Sequence, residues 1–332
     1  MVSLDATYSL GHNLTGVGVY CRELLHGLCA RHSEERFGFY YRPHRFFKSF
    51  SEQLPPNAAR RPLILPPSGR AFHALNQRVH FRGRRTVTTF HDLFVMTGDY
   101  STPEFRARFT DQARDAAQRS DLLIAVSAFT ARQIESLLHV EPSRIRVVHH
   151  GTRCVEPSTH RENIVLTVGA IQKRKNLARM VRSFERMPPD WRFLIAGSPN
   201  GFGAAEELQA IHDSPRRSDI EVQGFVSNQQ LEQLYQRASV FFFCSLDEGF
   251  GMPVLDAMAH GIPVVTSNRS AMPEVAGDTA ILANPEDVEE MSAALSQAAQ
   301  DSSGGRRGWA RAQEFSWEKA VDATWRVYEE LR

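Results

Sequence analysis

The stretch Val240-Phe241-Phe242-Phe243-Cys244-Ser245-Leu246-Asp247-Glu248-Gly249-Phe250-Gly251-Met252-Pro253-Val254-Leu255-Asp256-Ala257-Met258-Ala259-His260-Gly261-Ile262-Pro263-Val264-Val265-Thr266 reads as a strand, a glycine-rich turn, a helix and a second strand. Val240–Phe243 is apolar at every position, so both faces of that strand call for burial. Pro253 suits the first turn of the helix 254–260, where its missing N–H has no intrahelical partner to lose. A second apolar strand, Pro263–Thr266, follows directly. Two such strands joined through a helix run parallel, and a parallel sheet needs cover on both faces.

The same alternation extends outward in both directions. Strands are expected at 87–90, 122–126, 145–148, 164–168, 193–196 and 220–223, with helical patterns at 104–119, 128–138, 177–187 and 229–237 between them. The polar, turn-rich segment Glu156-Pro157-Ser158-Thr159-His160-Arg161-Glu162 interrupts the pattern, which restarts at Ile164. At 332 residues the chain suits two domains of roughly 150 residues each. The expected division is 1–158 and 159–316. The amphipathic helix 317–332, with Trp317, Val321, Trp325 and Tyr328 on its repeat, is expected to return towards the first domain. The fold class is α/β, two doubly wound, Rossmann-like parallel sheets whose strand ends face each other across a cleft.

Composition excludes several function classes. A formal net charge of +1 gives no global signature of nucleic-acid binding. No apolar run approaches the roughly 20 residues that span a bilayer, and the chain enters directly on the strand-like Val2-Ser3-Leu4-Asp5-Ala6, without a signal-peptide pattern. Cys21, Cys29, Cys154 and Cys244 lack metal-site or redox spacing. The expectation is a reduced, cytoplasmic protein. Residues 42–85 depart from this balance, carrying ten arginines and lysines against Glu52, interleaved with Phe46, Phe47, Phe50, Phe72 and Phe81. They read either as a peripheral contact with anionic lipid or an anionic acceptor, or as a solvated face over core aromatics.

Glycines at 249 and 251 let backbone approach a ligand closely, and the N–H groups of Phe250, Gly251 and Met252 at the helix start favour an anion such as a diphosphate. Glu248 and Asp256 flank that start eight residues apart, a helical rise of about 12 Å. A carboxylate accepts well from paired hydroxyls, so one acid suits a hexose and the other a ribose. A second block, Val168-Gly169-Ala170-Ile171-Gln172-Lys173-Arg174-Lys175-Asn176-Leu177, places adjacent cations Arg174 and Lys175 between a strand and a helix. Such cations can neutralise a leaving diphosphate.

These blocks resemble family 4 of the glycosyltransferases, which have the GT-B fold and a glutamate, seven residues, then a second glutamate. Here Glu248 is followed by Asp256, one methylene shorter than the family's second acid. The resemblance implies that Glu248 contacts the donor hexose, Asp256 the ribose, and Arg174 and Lys175 the phosphates. It extends to Thr15-Gly16-Val17-Gly18-Val19-Tyr20, where Gly16 inherits a place beside the donor phosphates and acceptor. At Phe90-His91-Asp92 it sets His91 near the donor sugar. Gly224-Phe225-Val226 would bring Phe225 and Val226 to the nucleobase. Val147-Val148-His149-His150-Gly151 and Pro273-Glu274-Val275-Ala276-Gly277 also fit.

The implied function is retaining transfer of a hexose, GDP-mannose being the first expectation, to a saccharide or lipid-linked saccharide. It needs neither metal nor cofactor, and no Asp-x-Asp motif occurs. Front-side attack by the acceptor is preferred to double displacement, for which Asp92 is the one available carboxylate on the first domain. A sugar-nucleotide epimerase or a non-catalytic transferase-like subunit can share the fold.

Overall fold

The computed structural model describes residues 1–11 and 14–331. They form two compact units, one of Met1–Gly98, Thr102–Gly151 and Ser316–Arg332, the other of Asp99–Ser101 and Thr152–Phe315. The division falls between Gly151 and Thr152 instead of at 158/159 because 152–155 is already tied into the second unit. The Thr152 N–H donates to the Phe315 carbonyl (3.1 Å), Val155 N–H to Ala259 (3.1 Å), and Trp309 Nε1 to Val155 (2.7 Å).

The first unit is built on seven strands: β1 (Val2–Asp5), β2 (Phe37–Tyr41), β3 (Ala58–Pro62), β4 (Ala71–Ala74), β5 (Thr86–Phe90), β6 (Leu122–Ala125) and β7 (Ile145–Val147). All pair in parallel in the order β3-β2-β1-β4-β5-β6-β7. Its interior strands are buried on both faces, as their apolar runs require. Edge strand β3 alternates in exposure and carries Arg60, Arg61 and Pro62, residues suited to a sheet edge.

The helix Trp317–Glu329 closes this unit against the helix Gly16–Arg31. Gly27 permits the approach, since a Cβ there would stand 2.5 Å from Val321 Cγ2. Arg31 grips Asp322 through two bonds of 2.5 and 2.8 Å. Inside, His73 of β4 bridges Tyr328 Oη (2.6 Å) and Thr89 Oγ1 (2.8 Å), which satisfies a fully buried imidazole.

The second unit carries β8 (Glu162–Val168), β9 (Arg192–Ala196), β10 (Ile220–Gly224), β11 (Ala238–Phe243), β12 (Val264–Ser267) and β13 (Ile281–Ala283). The order is β10-β9-β8-β11-β12-β13, again all parallel. Its core joins Val165, Phe184, Phe193, Val240, Phe242 and Cys244. Burial pushes the Cys244 thiol far above its usual range, as suits a core thiol. Both doubly wound sheets expected from the sequence are therefore present. Among the described residues no helix is long and apolar enough to cross a membrane.

Candidate functional site

In the second sheet the winding reverses between β8 and β11, so the crevice beyond their carboxyl ends is the topological switch point where ligands bind in such sheets. Both blocks singled out by sequence emerge there. After β8 the chain runs through Gly169 to a tight turn, Lys173–Lys175, closed by Asn176 in the left-handed region (φ 60°). Asn176 Nδ2 donates to the carbonyls of Cys244 (3.0 Å) and Pro285 (2.6 Å), anchoring this turn to the end of β11. After β11, Ser245 Oγ and the Leu246 N–H both donate to the Arg174 carbonyl (3.0 and 2.9 Å). The Arg174 guanidinium returns a bond to the Asp247 carbonyl. Two turns about 70 residues apart in sequence are thus laced into one frame.

Glu248 stands at the centre of that frame. Its Oε1 is 2.7 Å from Arg174 Nη1 and 2.5 Å from Lys175 Nζ. Glu248 and Arg174 are only 8% and 6% exposed. Burial alone would raise the Glu248 carboxyl, but Arg174 and Lys175, by charge and hydrogen bond, hold it down at about 2. The carboxylate is therefore ionised at any ordinary pH. Its backbone is fixed as well, with the N–H donating to Ser270 Oγ (3.1 Å) and the carbonyl accepting from Ala271 (3.3 Å). Both cations address Oε1, and among the described residues no hydrogen bond reaches Oε2.

The helix Met252–Ala259 begins immediately beyond, behind Gly251 in the left-handed region (φ 96°). That conformation favours glycine there, and a Cβ would in addition meet Met272 Cε at 2.3 Å, the end of a side chain that can turn aside. Gly249 and Phe250 complete the turn, and both are buried. One turn into the helix, Asp256 accepts a bond from Thr152 Oγ1 (2.8 Å). Burial raises its carboxyl to about 6 against the opposing pull of that bond. Phe225 and Val226 follow β10, with Phe225 59% exposed. Three strand spacings separate β10 from β11, about 14 Å.

The first unit holds the other predicted residues. Gly16 opens the helix Gly16–Arg31 behind Thr15, whose Oγ1 accepts from Gly18 (3.4 Å). His91 follows β5 and is buried. Its Nε2 lies 2.9 Å from the Leu75 carbonyl, so that nitrogen carries the proton and Nδ1 is left as an acceptor. Burial lowers its pKa to about 4 against the effect of the Leu75 bond, which keeps the ring neutral. The His91 ring packs edge-on to Tyr20 (4.8 Å) and stacks on His150 (5.5 Å). Tyr20 Oη in turn bonds Thr89 Oγ1 (2.8 Å). Sequence reasoning gave no role to Tyr20, His150, Thr152 or Ser270. Tyr20 ends one block the resemblance quoted and His150 lies within another, and those positions were the available signal.

Two family models cover nearly the whole chain. The model for glycosyl transferases group 1 matches residues 152–314, and that for Glycosyltransferase Family 4 matches 14–154. The O-antigen chain mannosyltransferase B of Escherichia coli is 28% identical across the full length of both chains. Among solved structures, sucrose-phosphate synthase of Thermosynechococcus elongatus superposes with a TM-score of 0.78 at 18% identity, covering 99% of this chain and 98% of that one. HepE of Anabaena, in complex with UDP and glucose, gives 0.74 at 14% identity over 99% of each chain. Likenesses at such identity speak for the fold, which is GT-B.

Proposed function

We propose that this chain, which belongs to the glycosyltransferases of group 1 and family 4, moves a hexosyl group with retained configuration from a nucleotide-diphosphate sugar to a hydroxyl of a saccharide or lipid-linked saccharide. The observation that carries this reading is the buried Glu248 carboxylate, kept ionised by Arg174 and Lys175 at the switch point of its sheet. With both cations on Oε1, Oε2 is left to accept from hexose hydroxyls. Arg174, Lys175 and the N–H groups at Phe250–Met252 oppose the charge that grows on the diphosphate as its bond to the anomeric carbon breaks. No metal is required in this scheme, since the two cations supply the countercharge.

The acceptor oxygen attacks from the face the diphosphate leaves, and its proton departs with that diphosphate. His91, fixed with its proton on Nε2, offers Nδ1 to a sugar hydroxyl and acts by orientation. Gly16 lies along the phosphates and acceptor, Asp256 takes the ribose, and Phe225 with Val226 flanks the base.

GDP-mannose is our first choice of donor, supported by the mannosyltransferase relative. HepE was solved with UDP and glucose, so the fold alone does not select the base. A panel of nucleotide sugars tested by thermal unfolding addresses this. A donor at a hundredfold excess over its dissociation constant adds about 2.7 kcal/mol, a shift of several degrees. GDP-mannose should give the largest shift, and a larger one from UDP-glucose would overturn the assignment.

We also read residues 42–65 as a peripheral membrane contact. Phe47 (83% exposed), Phe50, Ile64 and Leu65 are solvent-facing, and Arg45, Lys48 and Arg60 accompany them. Phe72, by contrast, is a core residue of β4, so this reading is confined to the first part of the basic segment. The protein should sediment with vesicles containing anionic lipid, and F47S/F50S should abolish this. Equal sedimentation of the variant would refute the contact.

A further inference from the structure

Asp256 stands on the open side of its helix. Of the eight residues of Met252–Ala259, Met252, Pro253 and Asp256 are half-buried and the other five are buried. Positions 252 and 256 share a stripe, so the acid lies one turn, about 6 Å, beyond the N–H groups at the helix start. His260, four residues further on, places Nδ1 2.7 Å from the Asp256 carbonyl and Nε2 3.0 Å from Glu232 Oε2. The Tyr235 ring stacks on the imidazole at 4.8 Å. These contacts fix the backbone at Asp256. Its side chain is fixed by Thr152, whose Oγ1 donates to Oδ1 at 2.8 Å.

Thr152 is itself held firmly. It is buried, and its N–H donates to the Phe315 carbonyl (3.1 Å). Three residues on, the Val155 N–H donates to the Ala259 carbonyl at the end of the helix that bears Asp256 (3.1 Å). Trp309 Nε1 closes on the Val155 carbonyl (2.7 Å). The Thr152 hydroxyl is thus carried by a segment strapped to that same helix. Among the described residues no other side chain bonds the Asp256 carboxylate, and no hydrogen bond reaches Oδ2.

A pinned carboxylate discriminates where a loose one does not. A loose aspartate that lacks its sugar hydroxyl turns to water and loses little. Held by Thr152, it cannot turn, and a missing hydroxyl leaves an acceptor unpaired in a half-closed site. Sites built in this way reject analogues that lack the hydroxyl. The Thr152 bond also opposes burial in keeping the acid ionised, the form that accepts from two hydroxyls at once.

We propose that Thr152 is a positioning residue that makes this site select ribonucleotides: it holds Asp256 Oδ1 so that the carboxylate meets both hydroxyls of the donor's ribose. This rests on the reading that Asp256 takes the ribose, and one titration separates the two. Calorimetry on the full chain with GDP and 2′-deoxy-GDP, and with the corresponding uridine diphosphates, gives a ribo-to-deoxy affinity ratio for the base that binds more tightly. The unaltered protein should favour the ribonucleotide roughly tenfold or more, the scale of a hydrogen bond to a charged group. T152V should weaken the ribonucleotide by about that factor and leave the deoxynucleotide unchanged, so that the ratio approaches one. T152S, which returns the hydroxyl, should return the ratio, and T152A carries the comparison if circular dichroism shows T152V unfolded. D256N should abolish the ratio. A ratio that survives D256N removes the ribose reading and this proposal with it. A ratio lost in D256N but kept in T152V overturns the proposal alone. Equal weakening of both nucleotides by T152V, a T152S that behaves like T152V, or a ratio near one in the unaltered protein overturns it as well.

Discussion

Glu248→Gln should lower turnover by about 10²–10³-fold while the protein stays folded, the scale of losing one preorganised polar contact to a reacting group. The amide keeps the size of the side chain and an oxygen for Lys175, but it removes the charge that Arg174 and Lys175 share. Stability falls too, because taking one partner from a buried ion pair costs about 3–5 kcal/mol in the worst case. The loss should be smaller here, since Lys175 is less deeply buried than Arg174 and can turn towards water. Circular dichroism and the unfolding midpoint establish folding, and steady-state kinetics give the rate. Turnover within a few-fold of the unaltered enzyme would remove Glu248 from the site.

R174Q/K175Q should cost at least as much in turnover, because the leaving diphosphate loses both countercharges at once. The single variants should not sum to the double, since both cations meet the same carboxylate oxygen. A second signature lies in pH. In the unaltered protein the Glu248 carboxyl is depressed to about 2. Its stabilising contribution is therefore complete above the unfolded pKa of about 4.3 and is lost only as pH falls through the folded value. Without the cations, burial is unopposed and raises this pKa above the unfolded one. The folded state then prefers the protonated acid, and the group destabilises it as pH rises. The midpoint deficit of R174Q/K175Q relative to the unaltered protein should thus be smaller at pH 5 than at pH 7. A deficit independent of pH would contradict the burial argument.

Much of the fold was legible because buried parallel strands are apolar at every position. The strand–turn–helix–strand unit around Phe243, Gly251 and Val265 is the plainest case. Strand β3 was not legible, since an edge strand carrying Arg60, Arg61 and Pro62 looks like a basic loop. Nor was β4, where His73 sits in a fully buried strand through partners on β5 and the last helix.

At the site, the residue types of Glu248, Arg174 and Lys175 could be read from their blocks. Their mutual ion pairs could not, because they span more than 70 positions and arise only when β8 and β11 become neighbours. Thr152 is a similar case. It lies 104 positions from Asp256, and nothing local marks it as a partner.

The most direct measurement is nuclear magnetic resonance of the reaction of an α-configured nucleotide sugar, with and without a mannoside acceptor. A new α-linked anomeric signal should appear, and nucleoside diphosphate should be released only when the acceptor is present. A β-linked product, or conversion of the nucleotide sugar without any acceptor, would contradict retaining transfer at Glu248.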